Sequence, residues 1–241
     1  MTTRAQFLER IKTEVGKARA SFDASTTPRP SRPDEAAEAV RRQMAERWPQ
    51  ALDRFQAEFE RVAGVFHRVT TLADVPATVL AIAKQKAATR LVTWDPGTLG
   101  FDLGVSLGSQ GFEVVAAGEA GDPERRRHRE EMASGQIGIT GVDAAIAETG
   151  TLVLLSGRGR PRSTSLLPET HIAVFDRSRL VESLEQVGLL LEAWHLAPAR
   201  SMSGAVINFI TGPSRTADIE LTLTRGVHGP KDVHAIFVEQ P

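Results

Sequence analysis

Glu148, Thr149 and Thr151, with Gly150 between the threonines, stand directly before the apolar run Leu152-Val-Leu-Leu155. A carboxylate at the mouth of a buried strand can serve as acid, base or nucleophile once it is stripped of water. Its plainer role, shared by the threonine hydroxyls, is to accept backbone N–H bonds within a turn. A second polar stretch, Thr211-Gly-Pro-Ser-Arg-Thr216, leaves another apolar segment. Read as a strand, a Gly212-Pro213 turn and a helix capped by Ser214 or Thr216, it aims several unpaired N–H groups at one spot. Such a spot attracts carboxylate or phosphate, and Arg215 adds a bidentate contact. The third stretch is Ser156-Gly-Arg-Gly-Arg-Pro-Arg162, where Arg160 and Arg162 suit either an anion pocket or a solvated loop. Its Gly157 and Gly159 begin a G-x-G, but Arg162 stands where a dinucleotide fingerprint has its third glycine, and no phosphate-loop motif occurs elsewhere. Of the six histidines, His228 in the sharp loop 225–230 is the best placed acid or base, and His171 opens an apolar strand as a core residue.

Composition excludes several kinds of chemistry. The chain has no cysteine, so it offers no disulfide, thiolate nucleophile or cysteine-ligated iron–sulfur centre. No histidine pair has the spacing of a zinc site, and the expectation is no metal and no cofactor within this chain. A net charge of −1 gives no global field toward nucleic acid or anionic lipid. The basic run Arg125-Arg-Arg-His-Arg129 is flanked by Glu124, Glu130 and Glu131 and reads as a neutralised helix surface. No apolar run reaches the ~18 residues of a membrane span, and the charged N-terminus lacks a signal-peptide core. These features predict a cytoplasmic protein that neither spans a membrane nor binds nucleic acid.

The polar stretches need elements to hold them. Residues 3–20 carry Phe7, Leu8, Ile11, Val15 and Ala18 at helical spacing, and residues 21–33 form a proline-rich linker. A second helix opens at Pro33-Asp34-Glu35, and a third follows Pro49, giving a helical extension over 1–63. From residue 64 strands and helices alternate: strands at 65–70, 90–94, 112–117, 137–140, 144–147, 151–155, 171–175, 205–211 and 234–239. The intervening helices fall at 74–88, 100–110, 122–133, 177–194 and 216–224. Apolar strands in such alternation predict a layered α/β/α domain over 64–241 with a mostly parallel sheet, whose ligands sit past the strand carboxyl ends.

Three motifs carry a resemblance. Residues 140–154 (TGVDAAIAETGTLVL), Arg160-Pro-Arg with Leu166-Leu-Pro-Glu-Thr-His171, and residues 211–220 (TGPSRTADIE) with Gly226-Val-His-Gly-Pro230 resemble the LUD-domain family of lactate utilization proteins. The resemblance covers about residues 60–240. It implies a fold related to ribose-5-phosphate isomerase, glucosamine-6-phosphate isomerase and the CoA transferases. It further implies a subunit of a three-protein system oxidising L-lactate to pyruvate, whose partner subunits carry the iron–sulfur clusters. On this reading a small anion such as a 2-hydroxy acid lies between the Glu148–Thr151 turn, the Arg160/Arg162 loop and the Gly212–Thr216 segment, with Glu148 or His228 exchanging the proton. The alternatives are a non-catalytic scaffold that docks the iron–sulfur partners, and a CoA-transferase-like or isomerase-like enzyme using Glu148 as nucleophile.

Overall fold

The computed structural model describes residues 3–21, 30–118, 130–196, 206–217, 223–226 and 228–240. Most of the linker, the basic run at 125–129 and most of the expected helix 122–133 lie outside the described residues. In chain order the elements are α1 (Arg4–Ser21), α2 (Pro33–Arg61), β1 (Val65–Thr71), α3 (Val75–Gln85), β2 (Arg90–Thr93), α4 (Pro96–Leu99), α5 (Gly104–Gly108), β3 (Glu113–Ala116), β4 (Ile137–Gly141), β5 (Ala144–Ile146), β6 (Thr151–Leu155), α6 (Ser163–Leu166), β7 (Thr170–Asp176), β8 (Leu180–Val181), α7 (Leu184–Leu196), β9 (Ile207–Ile210), β10 (Arg215–Ala217), β11 (Leu223–Arg225) and β12 (Asp232–Gln240).

The central sheet runs β1-β12-β7-β4-β2-β3, and every pairing in it is parallel. Both of its faces are covered, which explains strands such as β7 that are buried along nearly their whole length. One face meets α3 and α5 through Val75, Val79, Ile82, Leu107, Ile139, Ile172 and Ile236. The other face, with Ala173, Phe175 and Phe237, meets α2 and α7. Within that layer Phe55 stacks on Phe59 and meets Phe175 edge-on at 5.3 Å. The α/β/α architecture with a mostly parallel sheet is therefore the one the alternation predicts. A feature not foreseen is a second sheet, β8-β5-β6-β9, in which β5/β6 and β6/β9 are antiparallel. Strand β6 is buried throughout because it lies inside this sheet and under the α2 layer.

Several boundaries differ from the sequence reading. Helix α2 runs unbroken through Pro49. A proline inside a helix removes one backbone bond, but here both halves bury residues on one core, Val40 and Met44 before it and Leu52, Phe55 and Phe59 after it. Burial of several large side chains, at about 1.5–3 kcal/mol each, outweighs the lost bond. The long helix expected over 177–194 is instead the single turn Arg177–Arg179, strand β8 and then α7. The Asp176 carboxylate accepts the Ser178 N–H at 2.6 Å and turns the chain, so that β8 can pair with β5. Of the helix expected over 216–224, residues 218–222 lie outside the described residues, and the described residues on either side belong to strands β10 and β11, paired Arg215 to Arg225 and Thr216 to Thr224. Threonine loses side-chain freedom in a helix and fits a pleated ladder, which favours the strands. The helix expected over 100–110 shrinks to α5 after Asp102 accepts the Gly104 N–H. Helix α1 forms as read, yet Phe7, Leu8 and Ile11 on it are exposed.

Candidate functional site

Winding of the central sheet reverses between β2 and β4: β3 follows on one side of β2, and β4 is laid down on the other. Open α/β sheets bind ligands at such a point, past the strand carboxyl ends. A cavity of about 210 Å³ lies there. Among the residues lining it are Trp94 and Thr98 after β2, Asp143 after β4, Asp176 and Arg179 at the end of β7, and Arg160 from the arginine-rich loop.

Backbone bonds bring that loop over the strand end. Gly157 and Arg160 exchange N–H···O bonds of 3.0 Å across the Arg158-Gly159 turn, and the Asp95 N–H donates to the Gly159 carbonyl at 2.8 Å. The Trp94 indole N–H reaches the Pro161 carbonyl at 3.3 Å. The Arg160 guanidinium is thereby laid over the Trp94 ring, 4.4 Å from its centre, and one terminal nitrogen pairs with the Asp143 carboxylate. Asp143 is buried and also accepts the Leu155 N–H at 2.8 Å, which ties the ion pair to β6. The Arg160 Nε is buried with no acceptor. An unmet buried donor costs about 1–3 kcal/mol, so an acceptor there is favoured. Arg179 adds a half-buried guanidinium with no ion pair or hydrogen bond among the described residues. The arrangement suits a small carboxylate. Drug-sized ligands need about 300–1,000 Å³, so a cavity of about 210 Å³ selects something smaller.

The three polar stretches of the sequence do not converge on this cavity. Of their residues, Arg160 lines it and Arg162 does not; the Arg162 carbonyl accepts the Ser165 hydroxyl at the start of α6. The Glu148–Thr151 turn and the Gly212–Thr216 segment meet one another instead, at the C-terminal end of α2. Thr149, Thr151 and Thr211 form a chain of hydroxyl contacts at 2.7 and 2.8 Å. Arg215 donates to the Val62 carbonyl at 2.5 Å, placing a cation where the helix dipole is negative. Residues 215–217 form β10, so the helix expected to start beside Gly212 and Ser214 does not start there. Glu148 accepts the Leu184 N–H at 2.7 Å and so caps α7. His228 is exposed, its own N–H donating to the Ser214 hydroxyl at 3.2 Å, and Thr216 pairs with Thr224 in the hairpin.

Gly150 shows how tightly the turn is set. It has φ +60°, and a Cβ would stand 2.3 Å from the Phe59 backbone nitrogen. Gly150→Ala is expected to lower stability by about 2–3 kcal/mol, from left-handed strain and overpacking together. Urea unfolding measures it, with exposed Thr149→Ala shifting the midpoint far less.

The residues that sequence reasoning missed are Trp94, Asp143, Asp176 and Arg179. Asp143 stood inside the TGVDAAIAETGT stretch, but its apolar flanks hid it behind Glu148. A second unforeseen group joins His67 on β1 and His234 on β12, 167 residues apart, with ring nitrogens 3.0 Å from one another. On the opposite sheet face His171 Nε2 lies 2.8 Å from the Thr140 hydroxyl, and the His171 Nδ1 and His234 Nε2 are buried without partners. Burial drives the His171 pKa down to about 3, and burial followed by the nearby His67 drives that of His234 down to about 4. Among the described residues no three His, Cys, Asp or Glu side chains gather as a metal site, and no helix is long and apolar enough to cross a membrane.

Several known proteins are similar to this chain. The chain is 42% identical over 160 residues to "Lactate utilization protein C" of Halalkalibacterium halodurans, a match covering 66% of each chain. It is 32% identical over 174 residues to the protein of that name from Macrococcus caseolyticus, covering 70% of each. With the Geobacillus sp. protein of that name identity is 41%, over 47% of this chain and only 46% of the relative. The matches thus span from about half to two thirds of these relatives' own length. A crystal structure of a DUF162 family protein from Deinococcus radiodurans has the same fold, with TM-score 0.52 and 22% identity over 79% of this chain and 98% of that one. Residues 52–238 match the family model described as the LUD domain, and the chain belongs to that family.

Proposed function

We propose that this chain acts in lactate utilization, as one of three proteins that together oxidise L-lactate to pyruvate, and that it binds the 2-hydroxy or 2-oxo acid in the crevice between β2 and β4. The observation that supports this most is the pair Arg160 and Arg179 on a cavity of about 210 Å³ at the switch point, one with a buried donor lacking an acceptor and the other without an ion pair among the described residues. The names of the relatives supply the substrate class. In this reading the carboxylate meets the two guanidinium groups, and Asp176, the crevice carboxylate not tied to Arg160, takes the hydroxyl proton. Iron–sulfur clusters in the partner proteins would take the two electrons released, and the proton from C2 would leave to water. Calorimetric titration with L-lactate and pyruvate is expected to give saturable heat, lowered about tenfold or more in affinity by Arg179→Ala. No heat from either acid, with or without the partner proteins, would sink the reading.

A scaffold reading has its own support in α1, where Phe7 is 57%, Leu8 46% and Ile11 44% exposed. An apolar helical face of this kind suits a partner surface. Removing residues 1–29 tests it without touching α2, whose side chains belong to the core: loss of complex assembly with substrate heat intact supports the scaffold.

A further inference from the structure

A larger cavity, of about 400 Å³, lies between α2, residues 177–181 and α7. Its walls are apolar: Met44 and Trp48 from α2, Leu190 and Trp194 from α7. Close-packed interiors leave few voids larger than a water molecule, and this volume falls in the range of about 300–1,000 Å³ typical of ligand sites. Cationic groups edge it. Arg41 is drawn to Glu38 at 3.1 Å, but the guanidinium groups of Arg177 and Arg179 have neither ion pair nor hydrogen bond among the described residues. The acid on the lining, Asp143, is held by Arg160. Two indoles and a thioether make good contacts with a flat ring, and unpaired arginines at the edge favour a negative group on it.

We infer that this cavity is a second ligand site, which takes an aromatic anion with its ring between α2 and α7 and its charge at Arg177 and Arg179. Asp143 and Arg179 line both cavities. The ring site therefore adjoins the crevice, and a ligand in one is within reach of a ligand in the other. The inference does not rest on the lactate reading, since its apolar walls and Arg177 belong to this cavity alone and only Asp143 and Arg179 are shared with the crevice.

Anilinonaphthalene sulfonate is the probe. It should bind the native chain saturably, one molecule per chain, and take up excitation from Trp48 and Trp194. Ala45→Phe, at an exposed position on the cavity mouth, and Arg177→Glu, also exposed, should each weaken binding about tenfold or more without moving the thermal midpoint. Thr98→Arg, on the crevice alone, should leave dye binding unchanged while abolishing any heat from lactate or pyruvate. Unsaturable binding, binding that survives both cavity variants, or equal affinity for the neutral anilinonaphthalene would each overturn the site. None of those results bears on the crevice.

Discussion

Arg160→Met is expected to destabilise the fold by about 3–5 kcal/mol, the cost of leaving one member of a buried ion pair without the other. The side chains are unequally covered: Asp143 is 3% and Arg160 22% exposed. Removing the arginine takes a cationic partner from the deeper charge, which also accepts the Leu155 N–H at 2.8 Å. Removing the aspartate is milder, since Arg160 can turn toward solvent while still resting on Trp94. The double variant Arg160→Met, Asp143→Leu should recover most of the loss, as apolar replacements of buried pairs do. Urea unfolding of the four proteins gives the cycle. A loss below about 1 kcal/mol in Arg160→Met would show that the pair contributes no more than one at the surface.

Acid should unfold this protein early, through its histidines. His171 and His234 are neutral in the native sheet, with pKa values down at about 3 and 4 against the ordinary 6.5. Above pH 6.5 both folded and unfolded forms hold them neutral, and they contribute nothing to the slope. As pH falls below 6.5 the unfolded chain takes up protons that the folded chain refuses, so stability falls until the folded pKa values are reached. At about 1.4 kcal/mol per unit, each histidine removes on the order of 2 kcal/mol by pH 5. His67, also lowered by burial, pushes in the same direction. His171→Gln keeps a partner for Thr140 and removes one titrating group. Between pH 7 and pH 5 the native protein should therefore lose about 2 kcal/mol more than this variant. Parallel stability curves for the two would rule the mechanism out.

Much of the fold was legible because its signals are local. The strands 151–155 and 65–70 show as apolar runs between turn residues, and Pro33 with Asp34 and Glu35 marks the start of α2. Where the reading failed, a distant neighbour had overruled the local signal. Pro49 argues for a break, but the core on both sides of it holds α2 straight. Residues 177–181 carry helical spacing, but the open edge of β5 draws Leu180 and Val181 into a strand. Thr216 looked like a helix cap, and its partner Thr224 makes it a ladder residue.

The candidate site divides in the same way. Residue types and spacing by themselves determined a cysteine-free α/β chain with arginines and hydroxyls clustered behind apolar strands, and its motifs added the resemblance to the LUD family. Only the tertiary structure decided which of those groups are spent on the fold. Glu148 caps α7 and Arg215 closes α2, because each happens to lie beside an end with unmet backbone groups. Arg160 alone of the expected residues reaches the crevice, and Trp94, Asp143 and Arg179 join it from segments that are far apart along the chain. A helix end or strand edge is specified within a few residues, whereas a pocket is a meeting of chain segments, and its members are set by sheet order and register.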